Sequence, residues 1–466
     1  MGAWAEEELA AGGGLDASGL KRVGRVAPRP SASIKASPLS VGFEVLDRQR
    51  FDPTRAYAHL AELGVKWARC QTGWCRCETE RGRYDFGWLD EVVDSLRAIG
   101  IQPWFNLGYG NRLYTPDAPD EFAVGWAPVF DAGAMEAWLR FTKAIAEHFS
   151  TRVTHWEIWN EPNITHFWQP EKPDADDYVR LVAQTAPVIR EAVPDATVIG
   201  IACAGIKMKY IEACLDAGLA DLVDAISYHP YRPKPEERYE GEIAQLREAI
   251  AARREGVAIW QGENGCPSQG GEESVGALSD YDWNETAQAK WVLRRILTDL
   301  RLAIPLTSYF HTVDLVGYRG KTNFKGLLRG ADYTRKPAYY AYQCLCALFD
   351  ADTQRTPLTS ELIDQEKASL QEGAFVRNGR ALYAYWFPAS LLEPWEPKTL
   401  AVRLTLPEGV SVAEPVLIDP LSGQAYEFEK AVCDGASVVA EGLPLLDYPL
   451  ILTDRDTITR RARPLR

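Results

Sequence analysis

Two glutamates in this chain stand where an apolar strand ends, and both have neighbours suited to proton transfer or nucleophilic attack. The first lies in Trp156-Glu157-Ile158-Trp159-Asn160-Glu161-Pro162-Asn163. Residues 153–159 read as a buried strand, and Pro162 cannot donate to a sheet ladder, so Asn160 and Glu161 fall at the strand's C-terminal mouth. The second lies in Val257-Ala258-Ile259-Trp260-Gln261-Gly262-Glu263-Asn264-Gly265, where another apolar strand ends in a carboxylate between glycines. A facing pair of carboxyl groups is what glycoside hydrolysis needs. One protonates the leaving oxygen, and the other attacks the anomeric carbon or activates water. A separation of about 5–5.5 Å gives a covalent intermediate and retention, whereas about 6.5–9.5 Å leaves room for water and gives inversion.

Such a pair needs a scaffold that brings two distant strand ends together. Short apolar runs alternate with amphipathic stretches from about Pro38 onward, the pattern of βα units. Eight runs are legible, at residues 39–46, 65–70, 101–107, 153–159, 197–203, 223–228, 257–261 and 304–310. Between them, Phe86, Trp88, Leu89, Val92, Val93 and Leu96 recur at helical spacing, residues 286–302 show the same period, and Lys336-Pro337 opens a last helix ending at Leu348. This rhythm predicts an α/β fold, a (β/α)8 barrel spanning residues 38–350, with Glu161 after the fourth strand and Glu263 after the seventh. A doubly wound sheet would carry a Gly-rich phosphate turn after its first strand; here that turn is Asp47-Arg48-Gln49-Arg50.

After about Phe349 the helical period stops. Runs at 381–387, 399–406, 415–418, 424–429, 437–440 and 450–452, broken by turns such as Asp419-Pro420-Leu421-Ser422-Gly423, predict an antiparallel β-sandwich over residues 351–466. Residues 1–37, rich in Gly, Ala, Ser and Pro, read as an arm that is flexible or docked on the sandwich, where part of it adds a strand. A chain of 466 residues exceeds one ordinary core, which agrees with two domains.

Other groups predicted to serve the site sit at further strand ends. Arg69, ending the second strand, is placed to tune two nearby carboxylates. A hydroxyl from Tyr231, after the sixth strand, would hold the nucleophile ionised, and His229 precedes it. Glu44 and Asp47 near the first strand are candidates for sugar hydroxyls. Trp74, Trp104, Trp168, Tyr109 and His311 are candidates for sugar-stacking walls, because aromatic faces suit the apolar faces of pyranose rings.

The string Trp159-Asn160-Glu161-Pro162-Asn163, with a Glu ending the seventh strand, resembles clan A of the retaining (β/α)8 glycoside hydrolases. The resemblance covers most of residues 40–350. It implies Glu161 as general acid/base, Glu263 as nucleophile and Asn160 as the residue binding the sugar 2-hydroxyl. Within the clan the chain is most similar to family 39, the β-xylosidase and α-L-iduronidase group, which also appends a β-sandwich. Gly64-Val65-Lys66-Trp67-Ala68-Arg69, Gly82-Arg83-Tyr84-Asp85-Phe86 and Tyr228-His229-Pro230-Tyr231 look like that family's patterns. The chain departs from the clan at the end of strand eight, where Tyr309-Phe310-His311 replaces the usual Trp.

Composition narrows the partners. A net charge of −14 repels a phosphate-rich ligand, which argues against nucleic acid. No apolar run is long enough to span a membrane. The N-terminus lacks a basic segment followed by an apolar one, and nine scattered cysteines show no metal spacing, so the reading is a chain kept in the cytoplasm with reduced thiols. No metal site is expected, since the six histidines are dispersed, and no cofactor, since no nucleotide-binding turn is present. An oligomer is compatible with the sequence. The resulting expectation is an exo-acting β-glycosidase, β-xylosidase-like, acting on small oligosaccharides by double displacement. An endo-acting clan A hydrolase of polysaccharides and a non-catalytic carbohydrate-binding barrel are the alternatives.

Overall fold

A computed structural model describes residues 14–363, 370–457 and 460–461. The first strand, β1 (Arg22–Arg25), does not belong to the barrel. It pairs antiparallel with Gln424–Glu427 of the C-terminal sandwich. The arm therefore ties the two ends of the chain together before the barrel begins. Its later part reaches the barrel wall, where Ser31 donates to the Leu60 carbonyl at 3.1 Å and Arg29 pairs with Asp350. Residues 1–13 of the arm lie outside the described residues.

Eight parallel strands then close a barrel: β2 (Leu39–Gly42), β3 (Trp67–Gln71), β4 (Gln102–Leu107), β5 (His155–Ile158), β6 (Thr197–Ala204), β7 (Ala225–His229), β8 (Ala258–Asn264) and β9 (Thr307–Tyr309). β9 pairs with β2, Leu39 opposite Thr307, which completes the ring. Helices Tyr57–Leu63, Gly87–Ala98, Ala132–Phe149, Ala175–Ala192, Met208–Asp216, Tyr239–Ala251, Glu285–Arg301 and Pro337–Leu348 follow the successive strands. Their starts are set by local chemistry. Asp131, Asp174 and Asn284 each accept a bond from a first-turn backbone N–H, satisfying donors that the helix itself cannot. Their inner stripes are apolar. In Gly87–Ala98, Leu89, Val92, Val93 and Leu96 are all buried against the sheet.

After β9, a hairpin of β10 (Leu315–Tyr318) and β11 (Lys321–Asn323) rises over the barrel mouth. The sandwich consists of two sheets. The larger runs, in spatial order, Thr353–Arg355, Gln371–Arg377, Arg380–Trp386, Leu450–Asp454, Pro415–Asp419, Gln424–Glu427, β1 and Arg460–Arg461. The smaller runs Thr359–Leu362, Lys398–Thr405, Ser437–Leu445 and Ala431–Cys433. Barrel and sandwich share helix Glu285–Arg301, which is buried along most of its length; there Lys290 pairs with Asp447 at 2.9 Å. All nine cysteines are free, and seven of them are buried. Among the described residues no helix is long and apolar enough to cross a membrane.

Candidate active site

The end of β5 turns sharply. Trp159 and Glu161 have φ of 68° and 48°, a left-handed conformation that side-chain-bearing residues adopt only where the surroundings enforce it. Four contacts enforce it here. The Trp159 N–H donates to the Leu107 carbonyl at 3.0 Å, and the Trp159 carbonyl accepts from Asn106 Nδ2 at 2.7 Å. The Trp159 indole donates to the Phe167 carbonyl, and the Glu161 N–H donates to the Ala202 carbonyl. Ala202 belongs to a bulge in β6, where the register shifts between Gly200 and Cys203. The turn aims Asn160 and Glu161 into the barrel mouth.

Glu263 lies inside the last residues of β8 rather than after them. Gly262 just before it is required by space, since a Cβ there would stand 2.1 Å from Ser227 Oγ. Glu161 and Glu263 meet across a cavity of about 570 Å³. A carboxylate oxygen of each and a ring nitrogen of His229 all lie within 4.8 Å of one another.

The two acids are held differently. Glu161 Oε1 is 2.8 Å from His229 Nδ1. Glu263 accepts from Arg69 at 2.6 Å through one oxygen and from the Tyr231 hydroxyl at 2.8 Å through the other. Burial pushes the Glu263 carboxyl up, but the charges of His229 and Arg69, the Tyr231 hydrogen bond and the charge of Lys325 outweigh it and hold it below the usual glutamate value. Arg69 is fully buried and acts as a hub. Besides Glu263 it donates to Glu157 at 2.9 Å, to Glu44 at 3.1 Å and to Asn160 Oδ1 at 2.8 Å. Asn160 thereby spends its carbonyl on Arg69 and keeps its NH2 for a ligand. Glu44 lines the cavity; burial, opposed by Arg69 and reinforced by Glu263, pushes it up to about 8.

Several aromatic candidates are elsewhere. Trp74 is fully buried, stacked between Tyr114 and Phe141, with its indole bonded to Glu78. Trp168 packs edge-on against Trp159, Tyr178 and Phe130, and no face of it reaches the cavity. Trp104 fills the barrel interior beneath the Arg69 guanidinium, 5.5 Å away. His311 is buried between the Val313 and Glu44 carbonyls, at 3.0 and 3.2 Å; burial depresses it to about 4, so it stays neutral and holds the first-strand loop. Asp47 also turns away, toward Arg48. In each case the surrounding side chains already fill the faces a sugar would need. Of the aromatic candidates Tyr109 does line the cavity, together with Phe167, Tyr231, Phe310 and Tyr318. Phe310, not His311, presents the end of strand eight to the cavity.

Two residues that reasoning from sequence passed over belong to the site. Glu157, inside the fourth-strand run, is the strongest partner of Arg69 and also accepts from Asn106 at 2.9 Å. A charged residue facing a barrel interior was the available signal. Lys325, just after β11, lines the cavity near the Tyr231 ring; burial lowers it to about 8 against the pull of Cys266 and Glu263. Glu161, His229 and Glu263 are close enough to share a cation, but Arg69 and Tyr231 already bond both oxygens of Glu263.

Residues 48–260 match the model of glycosyl hydrolases family 39. The matched stretch, just under half of the chain, runs from the loop after β2 into β8, so most of the barrel is similar to that family. A β-xylosidase of Geobacillus stearothermophilus is 29% identical over 161 residues, covering 32% of this chain and 31% of the relative. A β-xylosidase of Caldicellulosiruptor saccharolyticus is 23% identical over 325 residues, covering 61% of this chain and 62% of the relative. The chain thus spans from about a third to under two thirds of these relatives' length. Among solved structures, a family 39 glycoside hydrolase from Bacteroides cellulosilyticus WH2 superposes with a TM-score of 0.67 at 21% identity, covering 90% of this chain and 81% of that one. A monomeric β-xylosidase from Caulobacter crescentus CB15 gives 0.63 at 19% identity, covering 92% and 98%. The likeness in fold therefore extends through the sandwich.

Proposed function

We propose that the protein is a retaining, exo-acting β-glycosidase, with β-xylosides of small oligosaccharides as its first candidate substrates. One observation carries the reading: Glu161 and Glu263 come within 4.8 Å while their partners differ. That spacing suits the short separation of retaining enzymes and is too small for the water-filled gap of inverting ones. The partners divide the labour. Arg69 and Tyr231 keep Glu263 ionised as nucleophile, and His229 orients Glu161 as acid/base.

In the first step a Glu263 oxygen bonds to the anomeric carbon as the glycosidic bond breaks, and Glu161 gives its proton to the leaving oxygen. A glycosyl ester on Glu263 results. Glu161, now a carboxylate, takes a proton from water as the water oxygen attacks the same carbon. The ester bond breaks, Glu263 is freed as carboxylate and Glu161 is protonated again. The free NH2 of Asn160 donates to the sugar 2-hydroxyl, a contact that strengthens in the transition state.

The cavity shape supports the exo reading. Val45 and Arg48 of the first-strand loop and Tyr318 of the adjoining β10–β11 hairpin line it on one side, and Arg319 of the hairpin reaches across to His166 in the loop after β5, which suits a chain end. The β-xylosidase relatives support the sugar. A cytoplasmic setting stays part of the proposal, supported by nine unpaired thiols, and cell fractionation tests it. The activity is tested on a panel of p-nitrophenyl α- and β-glycosides with Glu161→Ala and Glu263→Ala as controls. A β-glycoside hydrolysed by the wild type and by neither variant is expected. Hydrolysis undiminished in Glu263→Ala contradicts the assignment.

A further inference from the structure

The loop that carries Tyr231 is not held by the barrel alone. After β7 the chain runs Pro230-Tyr231-Arg232-Pro233-Lys234-Pro235-Glu236. Its three prolines have no N–H to donate, so the loop has few backbone bonds of its own. Helix Glu285–Arg301 supplies the missing partners from one face. The Trp291 indole donates to the Arg232 carbonyl at 3.0 Å, and Arg295 donates to the Pro235 carbonyl. Arg294 grips the Glu236 carboxylate with two bonds of 2.8 and 2.7 Å.

This grip extends into the sandwich. The Trp386 indole, on strand Arg380–Trp386, donates to Glu236 Oε1 at 2.7 Å. Arg294 Nη1 donates to the Ala389 carbonyl at 2.7 Å and to the Asp447 carbonyl at 3.2 Å. The Arg294 side chain is fully enclosed and that of Glu236 nearly so. A charged pair so enclosed cannot exchange its bonds for water, so its geometry is fixed by both domains at once.

We infer that Glu236 and Arg294 are positioning residues for the nucleophile: through them the sandwich sets the placement of Tyr231, whose hydroxyl bonds Glu263. The inference rests on Glu263 being the nucleophile. The sandwich is then a working part of the barrel's site rather than an appendage. A shift of the loop lengthens the Tyr231–Glu263 bond, removes one of the interactions that keep Glu263 ionised, and leaves the sugar's other contacts in place.

The test is a cycle of Glu236→Gln, Tyr231→Phe and both together, with Trp386→Phe as a milder change that keeps an aromatic side chain and removes one donor. On an aryl glycoside, Glu236→Gln is expected to lower kcat about tenfold with KM little changed and to move the acidic limb of the pH–rate profile upward, toward that of Tyr231→Phe. In the Tyr231→Phe background it adds less than about twofold, because the bond it protects is already gone. Trp386→Phe moves the limb in the same direction by less. An unmoved acidic limb, or a full multiplicative loss in the double variant, overturns the inference. If instead the wild type cleaves no glycoside, the functional reading fails separately. The latch is then judged from the titration of Glu263 followed by 13C NMR of glutamate-labelled protein, assigned with Glu263→Gln. An upward shift in Glu236→Gln upholds it, and an unchanged titration rejects it.

Discussion

The mouths of the fourth and seventh barrel strands present the same side chain in two kinds of setting. At the fourth, Glu161 sits on a left-handed turn outside the ladder, and its polar partner is one histidine nitrogen. At the seventh, Glu263 sits within the strand and is bonded by a buried guanidinium and a phenol, with a buried lysine near by. The second arrangement favours a fixed negative charge. The proposed roles of the pair rest on this asymmetry, because two glutamates in equal surroundings would compete for one role.

The largest expected effect breaks the pair unequally. Glu263→Ala loses on the order of 10⁴-fold or more in kcat on every glycoside, whatever its leaving group. Glu161→Ala loses on the order of 10²–10⁴-fold on substrates whose leaving group needs a proton, yet keeps a rapid first step with 2,4-dinitrophenyl glycosides, which need none. Rapid-quench kinetics across leaving groups separates the two; equal losses for both variants at every leaving group would erase the distinction.

Arg69→Met removes the hub and leaves Glu44, Glu157 and Glu263 buried without their shared counter-charge. About 3–5 kcal/mol of stability is expected to be lost, read from denaturant unfolding, together with a higher acidic limb in the pH–rate profile. Tyr231→Phe is smaller, about tenfold in kcat, with the same upward movement of the limb. The sign follows from Glu263. Its carboxyl is depressed in the folded protein, so the stability it contributes is present above its unfolded value and lost as pH falls through the folded one; activity falls in the same acidic window. Glu44 has the opposite sign. Raised from 4.5 to about 8, it costs stability as pH rises between those values. Glu44→Gln is therefore expected to flatten the decline of Tm between pH 5 and pH 8, by a few degrees at most. A decline as steep as the wild type's would remove Glu44 from the account.

Much of the scaffold was legible because a barrel strand buried on both faces is a run of apolar residues. All eight strands fall within or overlap the runs read from sequence, but their bounds differ. Residues 39–46 contain a strand of only Leu39–Gly42, since Phe43 to Leu46 are buried in the loop that follows. Residues 257–261 stop short of Asn264, because Gly262 and Glu263 look like a loop in composition yet continue the strand. The sandwich strands that went unread, Thr353–Arg355, Thr359–Leu362, Gln371–Arg377 and Ala431–Cys433, are exposed or half-buried along much of their length and lack apolar contrast. The same holds for the β10–β11 hairpin, whose polar residues left Lys325 unnoticed.

Within the site, residues next to a recognisable strand end were readable: Asn160, Glu161, His229, Tyr231 and Glu263 line the cavity, and Arg69 bonds Glu263 and Asn160 from behind it. Aromatic type was a poor guide. Trp74 and Trp168 are too well packed to face a sugar, while Phe167 and Phe310 line the cavity from positions that nothing in their spacing marks. Which ring faces inward depends on turns such as the one at Trp159, and those depend on contacts distant in sequence.

The central claim is that Glu263 attacks the sugar while Glu161 moves the proton. Incubation with activated 2-deoxy-2-fluoro-β-glycosides, the xyloside first, slows the second step and traps any glycosyl ester for peptide mass spectrometry. The account predicts one sugar per chain, on the peptide containing Glu263, and none in Glu263→Ala. A protein that turns these substrates over with inversion, or carries the adduct on Glu161, would contradict it.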